Sequence, residues 1–242
     1  MAVAQQSCEK MDRTAGGRNI VSGVQMYRKY GKRLLDIGLT IVAVIVLSPL
    51  LLLISLLVLV DLGRPILFRQ PRAGLHGRPF MAYKFRTLRD PRDAAGRLLP
   101  DDSDEAYELA RMGARSTRVG TFLRESSLDE LGGLVNVLKG EMSLVGPRAL
   151  VTRYLDRYTP EQMRRHDVLP GITGLAQING RQDLPFDERF KLDVGYVDHL
   201  SLRLDLTILI RTPIEVLTRR GASETGYATG TEFMGTNEHR PD

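Results

Sequence analysis

A run of 24 residues without a charged side chain, Ile37 to Val60, constrains the fold of this chain more than any other feature. As a helix it would be roughly 36 Å long, against about 30 Å for the hydrocarbon core of a bilayer. The run begins too far from Met1 and is too long for a cleaved signal peptide. We therefore expect it to stay in the mature protein and to lie in a membrane.

The centre and the flanks of this run bear on how it enters the membrane. At Ser48-Pro49 the proline removes a backbone donor, while the serine hydroxyl can bond to a freed carbonyl, so a sharp kink is predicted. A simple transmembrane helix and a re-entrant hairpin both fit a kinked segment. Because basic residues lie on both sides, the positive-inside rule gives no crossing direction, and a re-entrant hairpin with both ends in the cytoplasm is favoured. These flanking residues are Arg28, Lys29, Lys32, Arg33, Arg64, Arg69 and Arg72.

The remainder of the chain is polar enough to form a soluble domain of ordinary size. The predicted fold class is α+β and mostly helical, with a re-entrant membrane helix at 27–61. A cytoplasmic domain at 62–221 is expected to carry a small β-hairpin and amphipathic interfacial helices. The ends, at 1–26 and 222–242, show no periodicity and are expected to be loosely ordered.

Glycine and proline spacing predicts the elements of this domain. Ile66–Phe68 and Phe80–Phe85 are expected to be the hairpin strands. Residues 202–217 could lie along a membrane surface or cap the core, with Pro213 bending or splitting the helix. Gly171 to Gly174 is expected to be a turn. Four further helices are predicted, at 104–112, 126–138, 159–167 and 186–199.

Composition narrows the partners. A net charge of +5 indicates an anionic partner, whether phosphate, phospholipid headgroup or nucleic acid. The single cysteine, Cys8, cannot form an intrachain disulfide, which fits a reducing compartment. Tryptophan is absent and aromatics make up 6% of the chain, so no stacking surface for nucleic acid is expected. The four histidines have no metal-ligand spacing, and zinc is not expected.

An acid pair among cations carries the strongest chemical signal. Asp129 and Glu130 follow Ser127 in a capping-box pattern, which by itself most often complements a helix dipole. The neighbouring cations exceed what two acids need, and guanidinium groups bind phosphate bidentately while carboxylates among them can hold a divalent cation. We therefore predict a site for a phosphate-bearing ligand, with Asp129 favoured in its ionised form. The cations are Lys84, Arg86, Arg115, Arg118, Arg124 and Arg148.

A second candidate set lies between Pro170 and Arg181. Gln177, Asn179 and Arg181 occupy alternate positions, and in an extended segment they would point to one face and could contact phosphate or sugar. A buried polar turn is the alternative interpretation.

Seven ordered blocks resemble the bacterial sugar transferases, which are monotopic phosphoglycosyl transferases acting on a polyprenyl phosphate. They are YGKRLLDIGL containing Asp36, the Ser48-Pro49 break, Tyr83 to Thr87, SSLDEL, MSLVGPR ending at Arg148, PGITGLAQINGR, and DVGYVDHLSLRLDL from Asp193.

This resemblance implies transfer of a hexose-1-phosphate from a UDP-sugar to undecaprenyl phosphate, with release of UMP, as the first membrane step of a bacterial glycan. It implies that Asp129 is the nucleophile that carries the phosphosugar, and that Glu130 supports it and a Mg²⁺ ion. The expected location is the cytoplasmic face of the bacterial inner membrane. The expected partners are the two substrates and membrane lipid, without nucleic acid, and a homodimer stays open.

Three departures from the family pattern stand near the acids. Gly132-Gly133 replaces a usual Pro-Gln, Ala149 a usual proline, and Gly113-Ala114 a frequent Asp-Pro. Each glycine in a helix interior costs about 1 kcal/mol relative to alanine, which predicts a looser catalytic helix. A catalytically inert, membrane-anchored interaction protein binding anionic lipid or nucleic acid is the alternative function.

Overall fold

The computed structural model describes residues 25–100, 103–180, 184–218 and 233–235. The predicted terminal segments, 1–26 and 222–242, therefore lie almost entirely outside the described residues. Over the described residues the fold is the predicted mostly helical α+β arrangement, with a long apolar helix near the N-terminus and two small sheets.

The charge-free run forms most of helix α1, Lys32–Leu62, which follows a π-helical turn at Tyr27–Gly31. Turn and helix together are long and apolar enough to cross a membrane. The helix is continuous through Pro49. The hydroxyl of Ser48 donates to the carbonyl of Ile45 at 2.8 Å, which is the carbonyl that Pro49 leaves without a donor. The predicted role of the serine hydroxyl is confirmed.

Both ends of α1 pack against the same domain. At the N-terminal end, Lys32 Nζ lies 2.7 Å from a carboxylate oxygen of the buried Asp205, and Asp36 accepts a backbone hydrogen bond from Leu144. At the other end, Ile54 and Val58 are buried in a cluster with Phe85 and Leu123. Between them, no side chain of residues 41–49 is buried.

The predicted hairpin is present. Strands β1, Leu67–Ala73, and β2, Pro79–Phe85, pair antiparallel from Leu67↔Phe85 to Ala73↔Pro79. A second sheet consists of two short parallel strands, β3 at Ser143–Val145 and β4 at Gly171–Thr173. The turn predicted at Gly171 to Gly174 is therefore wrong. A Cβ on Gly171 would lie 2.1 Å from the backbone nitrogen of Gly146, so glycine permits the two segments to meet.

Within the described ranges six shorter helices follow α1: α2 Asp104–Arg111, α3 Arg118–Glu125, α4 Leu134–Lys139, α5 Pro160–Met163, α6 Phe186–His199 and α7 Leu202–Thr218. Helices α2 and α6 confirm two predictions, whereas α3 was not anticipated. The helix predicted at 126–138 is divided into a 3₁₀ turn, Leu128–Gly133, and α4. The one predicted at 159–167 is α5 followed by a 3₁₀ turn at Arg164–His166. Helix α7 runs through Pro213 unsplit.

Helix α7 has one face in the core and one outside it. Its buried side includes Ile208 and Asp205, which lie against Tyr196 of α6. Its outer side exposes an apolar row at every fourth position: Leu202, Leu206, Ile210 and Ile214. This pattern is that of an amphipathic helix with an apolar face turned away from the domain.

Candidate active site

The acid pair stands on the 3₁₀ turn Leu128–Gly133, which packs directly on β2. A Cβ on Gly132 would lie 2.9 Å from the Cα of Lys84, so the absence of a side chain lets the two backbones touch. This contact places Lys84 beside both acids. Gly132 therefore serves a close approach, and both glycines lie in a 3₁₀ turn, so the predicted loosening of a catalytic helix does not describe them.

The predicted capping box is wrong. Ser127 has a φ of +57° in the left-handed region and makes no side-chain capping bond. A capping side chain requires extended backbone at that position, which Ser127 does not have. A capping box does occur elsewhere, between Thr159 and Gln162 at the start of α5.

Glu130 is the centre of the charge cluster. Its Oε1 accepts from Arg148 Nη2 at 2.6 Å and from Lys84 Nζ at 3.1 Å. Burial alone would raise the pKa of Glu130, but Arg148 and Lys84 outweigh it and hold that pKa well below its usual range. Glu130 is therefore ionised at neutral pH and fixes the positions of both cations.

Asp129 is held differently. It is 8% exposed, and its nearest cation is Lys84, whose Nζ lies 3.8 Å from Oδ2. Burial, and then the adjacent charge of Glu130, raise the pKa of Asp129 to about 6, against the attraction of Lys84, Arg148 and Arg124. The surroundings therefore raise this pKa, whereas the neighbouring cations had predicted that they would lower it, because desolvation exceeds the attraction of the cations.

The acids open into a cleft of about 1180 Å³. Lys84, Arg124 and Arg148 line it together with both carboxylates. Arg124 donates through Nη2 to Ser116 at 3.0 Å, while its Nη1 is buried and has no partner among the described residues. A buried donor without a partner, on a residue that lines a cleft, is a candidate contact for a bound ligand.

Two of the predicted phosphate ligands have other surroundings. Arg86 is buried, and its N–H groups are taken by three carbonyls and one carboxylate, those of Leu62, Arg64, Leu88 and Asp90. Arg86 thus ties the end of α1 to the segment after β2. Arg118 is exposed at the start of α3 and does not line the cleft.

The alternating set is not assembled on one face. Gln177 and Asn179 belong to a 3₁₀ turn, so the rule for extended segments does not apply to them. Gln177 lines the cleft and donates to the carbonyl of Ile172 at 2.8 Å. Asn179 is exposed and caps the carbonyl of Leu175. Arg181 lies outside the described residues.

Arg148 is positioned by a buried ion pair. The sequence interpretation did not identify this pair. Arg165, 2% exposed, donates twice to Asp193 Oδ2, at 3.0 and 2.6 Å. Its Nη2 also donates to the backbone carbonyl of Arg148 at 2.7 Å. Asp193 could have been found from the sequence, because it begins the last of the seven blocks that resemble the family. No sequence feature singled out Arg165.

The acid pair suits a magnesium ion that is coordinated jointly by the protein and a phosphate-bearing substrate. No group of three or more His, Cys, Asp or Glu side chains within the described ranges is placed to hold a metal ion by itself. Magnesium is commonly held by one or two carboxylates together with substrate phosphates, and it keeps several waters. Asp129, whose carboxylate accepts no hydrogen bond from the described part of the chain, fits that mode.

A long apolar helix packed on a small α+β domain, with a cationic cleft around a pair of neighbouring acids, indicates a membrane-associated protein that binds a phosphate-bearing ligand. The chain belongs to the bacterial sugar transferase family, whose model matches residues 27–219. The family and the enzyme class predicted from the sequence, a phosphoglycosyl transferase, are confirmed.

Three relatives illustrate the match. The chain is 45% identical to the uncharacterized sugar transferase EpsL of Bacillus subtilis, over 86% of this chain and 97% of that protein. It is 39% identical to the undecaprenyl-phosphate galactose phosphotransferase of Salmonella typhimurium, over 80% of this chain and 42% of that protein. It is 38% identical to the UDP-glucose:undecaprenyl-phosphate glucose-1-phosphate transferase of Caulobacter vibrioides, over 79% and 71% respectively.

Proposed function

We propose that this protein transfers a hexose-1-phosphate from a UDP-sugar to undecaprenyl phosphate, releasing UMP and initiating the synthesis of a bacterial polysaccharide. The observation that carries the proposal is the acid pair, the buried Asp129 and the partly buried Glu130, in a cleft whose cations exceed its acids. The names of the Salmonella and Caulobacter relatives support the donor and the acceptor.

The first half of the proposed reaction is an attack by Asp129. A carboxylate oxygen bonds to the phosphorus attached to the sugar, and the bond from that phosphorus to the bridging oxygen of UMP breaks. Lys84, Arg124 and Arg148 neutralise the phosphate oxygens as the two anions approach. Glu130 holds Lys84 and Arg148 in place. A magnesium ion, when bound, would supply further positive charge on the phosphates.

The second half of the proposed reaction regenerates the free carboxylate of Asp129. An oxygen of undecaprenyl phosphate attacks the phosphorus of the phosphosugar carried on Asp129, and the bond to the carboxylate breaks. At a pH above about 6, the pKa of Asp129, its carboxyl is mostly ionised and no proton need be removed before the attack. The nucleophile therefore needs no histidine base, and no histidine lines the cleft in the described residues.

The test uses membranes that contain the protein, with a panel of UDP-sugars. A ping-pong mechanism predicts that one equivalent of UMP appears without undecaprenyl phosphate and that the protein gains the mass of one phosphosugar. Asp129→Asn should lose both signals, while Asp167→Asn, which alters an exposed aspartate, should retain them. No UMP from any donor would instead favour the inert, lipid-binding alternative.

The membrane disposition proposed is that of a re-entrant helix on the cytoplasmic face of the inner membrane. Both ends of α1 contact one domain, and a helix that crossed the bilayer would separate them. The free stretch at residues 41–49 contains Ser48-Pro49 and would be the deepest part. The exposed apolar row of α7 would then lie in the interface.

Cysteine labelling in sealed vesicles tests this topology. In a Cys8→Ala background, Met26→Cys and Arg64→Cys place single thiols at exposed positions before and after α1. Both should react from the cytoplasmic side. Reaction of the two thiols from opposite sides would show a spanning helix. Pro49→Ala should shift the segment towards spanning, because the lost backbone hydrogen bond is restored.

A further inference from the structure

Arg72, on β1, is a cation at the cleft without a counterion. Its Nη2 donates to the side-chain oxygen of Gln70, and its Nη1 makes a long contact of 3.4 Å with the carbonyl of Ala149. No carboxylate lies within ion-pair distance of its guanidinium among the residues that the structure describes. Both of its partners are neutral oxygens.

The charged neighbours of Arg72 are mostly of its own sign. Burial, and then the charge of Arg148, lower the pKa of Arg72 to about 10, and Arg153 acts in the same direction. Glu130 is the carboxylate that opposes them, and it already pairs with Arg148 and Lys84. Holding a partly buried cation beside like charges is unfavourable unless an anion joins it.

The backbone fixes Arg72 next to Arg148. Arg72 forms a bridge with Val151, and the amide of Ala73 donates to the carbonyl of Leu150 at 2.9 Å, so the end of β1 is bound to the segment that follows Arg148. Arg72 lines the main cleft. It also lines a small cavity of about 50 Å³ whose other walls include Lys84, Glu130, Arg148, Ala149 and Gly171.

We propose that Arg72 and Arg148 form one anion site for the phosphate oxygens of a substrate, in which the anion supplies the counter-charge that Arg72 lacks. The proposal rests on the proposed function, which provides two phosphate-bearing substrates, the UDP-sugar and the lipid phosphate. Two adjacent guanidinium groups can each offer a fork of N–H donors, a geometry that suits a tetrahedral phosphate.

The experiment compares Arg72→Gln and Arg72→Lys with Arg78→Gln, a control that removes an exposed arginine from the same hairpin. Calorimetry with inorganic pyrophosphate, in magnesium-free buffer, measures the anion site without turnover. Loss of a charge-assisted contact should raise the pyrophosphate Kd by roughly tenfold or more in Arg72→Gln. Arg72→Lys should recover part of this loss, and Arg78→Gln should bind as the unmodified protein does.

Steady-state kinetics identify which substrate uses the site. A fall in kcat/KM for the UDP-sugar alone assigns it to the donor, and a fall for undecaprenyl phosphate alone assigns it to the acceptor. Weaker pyrophosphate binding by Arg72→Gln in a protein that releases no UMP would support the anion site while refuting the proposed function.

Stability separates binding from a structural role. Because Arg72 is only partly exposed and lies among like charges, Arg72→Gln should leave the thermal unfolding midpoint of the ligand-free protein unchanged or raise it. Unchanged pyrophosphate affinity in Arg72→Gln would overturn the proposal. So would a loss of affinity accompanied by a lower unfolding midpoint, since that combination indicates damage to the fold.

Discussion

Replacing the proposed nucleophile should make the protein more stable. Folding raises the pKa of Asp129 from 3.8 to about 6, mainly through burial, so its ionised form is disfavoured in the folded state. A shift of roughly two units corresponds to about 3 kcal/mol of stability lost at pH 8, where the group is ionised in both states. Asp129→Asn keeps the shape and carries no charge, so we expect it to recover up to this amount.

The sign of the pH dependence follows from the raised pKa. The contribution of the protonated carboxyl is fully present below pH 3.8 and is lost as the pH rises through about 6. The gain in the free energy of unfolding from Asp129→Asn should therefore be largest at pH 8. It should fall to about half by pH 5, where Asp129 is mostly ionised in the unfolded chain but mostly protonated in the folded protein.

Thermal unfolding of the purified protein in lipid nanodiscs measures this effect. For a chain of this size, a gain of about 3 kcal/mol raises Tm by roughly 6–12 °C. Asp167→Asn, at an exposed position, should leave Tm unchanged at both pH values. A lower Tm for Asp129→Asn at pH 8, or a gain that does not change with pH, would refute the reasoning from burial.

Two further substitutions probe the frame around the acids. Gly132→Ala should lower UMP release and cost about 1–3 kcal/mol, because its Cβ would lie 2.9 Å from the Cα of Lys84. Gly133→Ala, whose Cβ would meet the Ile172 side chain at 3.5 Å, is the matched control, and equal rates for both variants would contradict the packing argument. Asp205→Asn should lower Tm in nanodiscs, since it leaves Lys32 at a buried junction without its counterion, a loss of up to about 3–5 kcal/mol. An unchanged Tm would show that this ion pair does not hold α1.

Local signals in the sequence predicted local structure well. The hairpin follows from glycine and proline spacing, and helix α6 begins after Pro185 as its acidic first turn indicated. The pair β3–β4 could not be predicted, because each strand has three residues and they meet only through the tertiary fold. The left-handed backbone of Ser127 likewise has no signature in its sequence.

The candidate site, too, was predicted only where local signals in the sequence determine it. The grouping of Lys84, Glu130 and Arg148 was anticipated from charge, and the structure brings them within hydrogen-bond distance. The direction of the pKa shift of Asp129 was not, because desolvation depends on what covers the carboxylate. Arg72 was noted only as a basic residue after the membrane segment, and its position beside Arg148 depends on the bridge to Val151.

The attachment of α1 at both ends bears on how the protein can be produced. A shortened chain that began at β1, intended as a water-soluble enzyme, would lose more than a membrane anchor. It would remove Ile54 and Val58 from a core that also holds Phe85, the strand residue directly after Lys84. It would also leave the carboxylate of Asp205 buried without Lys32. Exchange of α1 for an unrelated hydrophobic helix would lose the same contacts, because α1 shares a core with the rest of the described chain.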